Sequence, residues 1–192
     1  MRRDRLILLA VLFAVPAIAG AQPFLYEPSM ARAWLVLSDG AGPNGGGIAN
    51  ASGLVQLFRA SATVAVTPTF GIEASALRVQ ELYPANRLFN DPALNSPKAD
   101  GLTLALASLA SDGGRTRFPA STVLGAALLR RPTNDPTKTR LTGGVTAGLE
   151  AGLWRPSYDW VDLTAGGRLI VMPSSNHRQL YMLAITLGLR FG

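Results

Sequence analysis

The sequence predicts an all-β fold, an eight-stranded antiparallel up-and-down transmembrane β-barrel, on three observations. The final segment alternates without a break: Tyr181, Leu183, Ile185, Leu187, Leu189 and Phe191 share one face, and Leu180, Met182, Ala184, Thr186, Gly188 and Arg190 share the other. Its apolar face carries an aromatic residue at each end, as suits a strand whose rings settle at the two interfaces of a bilayer. Seven more stretches repeat the period of two, separated by breaks rich in Gly, Pro, Asn and Asp. Beyond its N-terminus the chain has no run of 18 apolar residues, so strands rather than helices must do any crossing.

The first residues form an address. Arg2, Arg3 and Arg5 make a basic n-region, residues 6–18 an apolar core, and Ala19-Gly20-Ala21 a small-residue cleavage site, the pattern of a secretory signal over residues 1–21. The core is shorter than the roughly 20 residues a spanning helix needs. Residues 22–192 then make one barrel domain. No cysteine occurs, which excludes disulfides, thiolate metal sites and a lipoprotein anchor. Only 16% of residues are charged while 20 are glycine, a composition suited to strands with small residues on one face and apolar ones on the other.

Residues 22–30 read as a periplasmic lead-in, where Pro23 and Pro28 discourage pairing. The first strand covers residues 31–38, and Asp39-Gly40 with the glycine-rich run to Gly47 reads as a flexible loop rather than a phosphate cradle, because an alternating strand follows it and no helix does. In the second strand Leu54, Phe58, Val64 and Val66 oppose Arg59, Ser61 and Thr63, and Thr67-Pro68 turns the chain into a third where Phe70, Ile72, Ala74 and Ala76 oppose Gly71, Glu73 and Ser75. Residues 81–100, with Pro84, Pro92 and Pro97, read as a long loop. Leu102, Leu104 and Leu106 mark the fourth strand, and Asp112-Gly113-Gly114 leads to a fifth over residues 120–129 with weaker alternation. A second polar loop spans residues 130–138. In the sixth strand Leu141, Val145, Leu149 and Leu153 oppose Thr142, Gly144, Thr146, Gly148, Glu150 and Gly152. In the seventh Val161, Leu163, Ala165, Leu169 and Val171 oppose Asp162, Thr164, Gly166 and Arg168.

On this division the connections alternate, the second, fourth and sixth short and the first, third and fifth long, which places the short ones on the periplasmic side and the long ones outside. Phe70, Phe118, Trp154, Tyr158, Trp160 and Phe191 fall at the periplasmic ends as an interfacial girdle, although strict alternation turns Trp154 and Trp160 inward.

The closing strand, ending in Phe191 and followed by Gly192, resembles that of bacterial outer-membrane β-barrel proteins, and in pattern the whole mature chain is similar to the small eight-stranded members of that group. The resemblance implies residence in the bacterial outer membrane and insertion by the barrel-assembly machinery. Activity is left open, since such barrels include structural anchors, adhesins and lipid-modifying enzymes. Eight strands enclose an interior that side chains fill. The inward parity collects Arg59, Glu73, Glu150, Asp162, Arg168 and Arg190, three charges of each sign, which pair and plug a narrow lumen more naturally than they line a wide channel. The alternatives are a narrow path for ions or small solutes and a lipid-acting hydrolase.

That third class would rest on His177, two residues from Ser175, as in outer-membrane lipid A deacylases that pair a histidine with a serine. No carboxylate lies near enough in sequence to orient the histidine, so a solvated loop residue is the better reading and no enzyme is expected. One histidine and no cysteine leave no metal site or cofactor to expect. The outer loops hold Arg87, Lys98, Arg130, Arg131, Lys138, Arg140 and Arg178 against Asp91, Asp100 and Asp135, a cationic rim suited to outer-membrane lipid and to the phosphates of lipopolysaccharide. The formal net charge of +6 is too scattered for nucleic acid. The combined expectation is a structural, surface-interacting barrel with a filled lumen.

Overall fold

The computed structural model describes residues 33–45, 53–84, 98–110, 118–132, 138–154, 160–173 and 180–192. They form eight strands: β1 (Ala33–Gly45), β2 (Gly53–Ala65), β3 (Phe70–Pro84), β4 (Lys98–Ala110), β5 (Ala120–Pro132), β6 (Thr139–Trp154), β7 (Val161–Met172) and β8 (Leu180–Phe191). Each pairs antiparallel with its sequence neighbours, and β8 returns to β1 to close the barrel. The expected signal, residues 1–21, lies outside the described residues.

One row of cross-strand partners sets the geometry. Starting at Leu35, it passes through Ala62, Ala74, Leu104, Ala126, Val145, Val171 and Tyr181, and re-enters β1 at Gly45 rather than at Leu35. A stagger of about ten residues over eight strands, at about 3.3 Å per residue and about 4.8 Å between strands, tilts the strands by roughly 40°. At that tilt Phe191 and Tyr181, at opposite ends of β8, bracket roughly 25 Å of height, the thickness of the apolar band of a membrane barrel.

The parity expected from the sequence holds around the wall. Outward residues are exposed and apolar, with Leu102, Leu104, Leu106, Leu149, Ile185 and Leu187 each about 60% exposed or more. Inward residues include Arg59, Glu73, Glu150, Asp162, Arg168 and Arg190, all buried. An apolar exterior around a charged interior inverts a water-soluble protein and fits a chain whose solvent is hydrocarbon.

Several strand ends differ from the sequence expectation. β1 continues through Asp39 and the glycines to Gly45 because strands on both sides pair with it, and because Gln56 on β2 holds both oxygens of the Asp39 carboxylate at 3.1 and 2.9 Å. β3 runs on to Pro84, β4 begins at Lys98, and β5 reaches Pro132, so Lys98, Asp100, Arg130 and Arg131 belong to strands rather than loops. In each case ladder partners override the local preference of Pro, Gly and Asp for turns. Once the strands lengthen, the alternation of loop lengths fails: the connection over residues 111–119 is longer than the one over residues 133–138.

The girdle also needs correction. Phe70, Trp154 and Trp160 are well exposed at the rim where β1 begins and β8 ends, and Trp160 stacks on Phe191 at 6.2 Å. Trp154 escapes inward parity through a register shift between Gly152 and Trp154. Phe118, by contrast, is fully buried inside the barrel against Trp34 at 6.1 Å and takes no part in the girdle. Tyr158 lies outside the described residues.

β1 reaches β8 through small residues. A Cβ on Gly42 would collide with the carbonyl of Leu183, whereas one on Gly143 would meet nothing within 4 Å. We expect Gly42→Val to prevent closure, so that boiled and unboiled samples co-migrate on a denaturing gel, while Gly143→Ala keeps the fast-migrating folded form. Normal folding of the Gly42 variant would contradict the tight seam.

Candidate functional site

The inward side chains stack in three layers. At the rim bearing the Trp-Phe girdle, Trp34, Val36, Ala105, Ala107, Leu109, Phe118 and Val123 form an apolar cluster. The opposite half holds a larger one, including Val55, Leu57, Leu77, Val79, Leu129, Ile170, Met172 and Met182. The charged residues lie between. The larger apolar cluster arises because β3 continues past Ala76, which brings Leu77 and Val79 onto inward positions.

The charges form a continuous chain across five strands. Arg168 donates from Nη2 to Glu73 Oε1 at 2.8 Å, and the other Glu73 oxygen accepts from Arg59 Nη1 at 3.2 Å. The second guanidinium nitrogen of Arg59, Nη2, donates to Glu150 Oε2, and Arg190 Nη2 reaches Glu150 Oε1 at 3.2 Å. The order is thus Arg168, Glu73, Arg59, Glu150, Arg190, with the sign alternating at every step. Two serines extend it: Arg59 Nε donates to Ser38 Oγ at 3.1 Å, and Ser75 Oγ donates to Glu73 Oε1 at 3.0 Å. Arg190 also donates to the carbonyl of Pro119 at 3.0 Å and lies over the Phe118 ring, 5.5 Å from its centroid. Asp162, 1% exposed, stands opposite Arg190 in the β7–β8 register.

Five of the six expected lumen charges therefore join one ion-pair chain, with Asp162 beside its Arg190 end. Parity gives the set, and Ser75 with it, but not the connections; Ser38 occupies an inward position that parity also gives, whereas Phe118 stands in the lumen rather than in the girdle where the sequence puts it. Phe118 precedes β5 and carries no periodic signal.

Among the described residues a cavity of about 10 Å³ lies between Arg168 and the larger apolar cluster, room for about one water molecule. Near the mouth beyond that cluster, Asn44 Nδ2 donates to Glu81 Oε1 at 3.4 Å, both residues being buried.

The expected cationic rim divides. Lys98 and Arg130 are exposed on outward positions, Arg131 is half-buried on an inward one opposite Arg140, and Lys138 is exposed just before β6. Arg87, Arg178 and the Ser175–His177 pair lie outside the described residues. On the outer wall Arg78 Nε donates to Asp100 Oδ1 at 2.8 Å, and Asp100 is the cross-strand partner of Arg130.

No family model and no curated protein matches the chain. Among solved structures it is similar to Neisserial surface protein A, at 15% identity over 83% of this chain and 97% of that one, with a TM-score of 0.52. The outer membrane protein OprG from Pseudomonas aeruginosa shares 11% identity over 84% of this chain and 96% of that one, at a TM-score of 0.50. At such identities the shared property is the fold. The closed eight-stranded architecture, together with the apolar outer wall, makes this a transmembrane barrel of the bacterial outer-membrane type.

Glu150 joins two arginines and Glu73 joins two arginines and a serine, so loss of either leaves buried positive charge uncompensated. Glu150→Ala should cost about 3–5 kcal/mol of stability, measured by urea unfolding in lipid vesicles, whereas Lys98→Ala, at an exposed site, should change it little. Equal stability of the two variants would mean that the ion-pair chain is not a structural element.

Proposed function

We propose that this chain, after removal of residues 1–21, is a structural and surface-interacting barrel of the outer membrane whose lumen is closed and which performs no catalysis. The observation that carries the proposal is the layered interior: an alternating ion-pair chain is held between two buried apolar clusters, with space for about one water molecule beside it. A solute passing through would have to separate ion pairs and displace both clusters. Insertion by the barrel-assembly machinery fits the closing strand with its terminal aromatic. Interaction with lipid and with partners at the cell surface then belongs to the outer wall and the connecting segments, not to the lumen.

Liposomes carrying the purified, heat-modifiable barrel should be no more permeable to small sugars and ions than empty ones. Flux that scales with the amount of barrel would replace this reading with a narrow pore, and recovery of the protein from the soluble periplasmic fraction would remove the membrane assignment.

A further inference from the structure

The outward-facing charges are unevenly distributed around the barrel. Among the described residues on outward strand positions, the cations are Arg78 on β3, Lys98 on β4 and Arg130 on β5, three adjacent strands, and the acids are Asp100 among them on β4 and Asp39 on β1. The outward positions of β7 and β8 carry only uncharged residues. Arg78, Asp100 and Arg130 are successive partners in one cross-strand row, and the Arg78 guanidinium bonds the Asp100 carboxylate. Lys98 stands on the same face, two residues from Asp100 toward the end of the barrel away from the aromatic girdle.

These groups border a shallow groove on the outer wall. Ala60 and Ala76 are paired across β2 and β3, so the wall is low between them, while Phe58, Leu102 and Leu128 stand higher around it. Arg78, Lys98 and Arg130 line the same groove. A cationic head region therefore adjoins an alanine floor between apolar walls, at a height where headgroups meet acyl chains. At this depth the exposed cations face lipid rather than bulk water, and with both groove carboxylates counted, Asp100 and Asp39, the five side chains carry a net charge of +1.

We infer that this groove binds a phosphorylated, multiply acylated saccharolipid of the outer leaflet. Its phosphate accepts from Arg78, Lys98 and Arg130 while one acyl chain lies over Ala60 and Ala76. Asp100 holds the Arg78 guanidinium through Nε on the outer face, which leaves the two terminal nitrogens of Arg78 for the phosphate. A sugar-borne phosphate is favoured over a glycerophospholipid because the groove lies toward the rim opposite the one where β1 begins and β8 ends, the side that the outer leaflet meets when that rim is outside. The inference rests on the barrel being membrane-embedded with that rim outside.

The test uses the full barrel in detergent and native mass spectrometry with three added lipids: bis-phosphorylated hexa-acyl lipid A, its dephosphorylated form, and phosphatidylglycerol. We expect the bis-phosphorylated lipid to stay bound, with the dephosphorylated form and phosphatidylglycerol each at least about tenfold weaker, the size of one charge-assisted hydrogen bond. Arg78→Gln/Arg130→Gln should lower lipid A retention by about the same factor, and Arg78→Lys/Arg130→Lys should restore part of it. Equal retention of phosphorylated and dephosphorylated lipid, or of lipid A by the wild type and the Gln pair, would overturn the site. Preference for phosphatidylglycerol would overturn the choice of lipid. If the Gln pair does not fold, the comparison of lipids on the wild type decides alone. Gel mobility separates the two levels: a wild-type barrel that folds but binds no lipid A removes only this inference, whereas one with no heat-modifiable form removes the barrel reading beneath it.

Discussion

Backbone pairing is the constraint on which everything else in this molecule depends. Hydrocarbon offers no partner to an amide or carbonyl, so a sheet that crosses a bilayer must leave no edge, and β1 has to meet β8. Here the seam is built from residues that pair poorly elsewhere. Its register runs from Leu35 opposite Phe191 to Ala41 opposite Ile185, breaks at Gly42 and Pro43, and resumes at Asn44 opposite Met182. Pro43 has no amide to donate, and the glycines around it let the two backbones approach closely. The stagger fixed by this closure sets the tilt, and tilt with strand number sets the width of the lumen.

A lumen that narrow dictates what can stand inside it. Inward positions alternate with lipid-facing ones, so every strand contributes side chains to a space that must be filled or hydrated. The chain fills it. Glycines such as Gly148, where a Cβ would press on the Arg168 side chain, leave room for the long arginines. The arginines reach across to carboxylates on other strands rather than to neighbours on their own. Because Arg59 contacts both Glu73 and Glu150, β2, β3 and β6 are tied through the centre as well as around the wall. The apolar clusters on either side exclude water from these pairs, which strengthens the attraction and raises the penalty for losing a partner.

Wall parity was legible in the sequence because burial in a barrel has a period of two whatever the solvent outside. Tyr181 to Phe191 shows it in full, and Glu150 and Arg168 could be assigned to the interior from their neighbours alone. The strand ends were not legible. Asp39, the β1 glycines and Pro132 have turn chemistry, Lys98 and Arg130 lie close to prolines, and only non-local ladder partners hold these positions extended. Trp154 was misplaced because a register shift has no sequence signature, and Phe118 because a residue outside a strand obeys no parity. The composition of the ion-pair chain was thus readable one strand at a time. Its order was not, since Arg59 and Glu150 are joined only by the curvature of the closed barrel.

The charges of the described wall accordingly form two populations with different consequences. Those of the central ion-pair chain are shielded and bound to one another: Arg59 and Arg168 are each about 4% exposed and bound to carboxylates. They hold the barrel in shape and offer nothing to a ligand. Those outside are exposed, the Arg78 and Asp100 side chains at 60% and 46%, and an ion pair so exposed contributes little to stability in its own right. A cluster of cations that the fold does not need, held on adjacent strands above an apolar wall, is available for binding in a way the buried arginines are not. On the proposed reading, then, the charges free to select a partner are those on the outer wall and not those of the lumen.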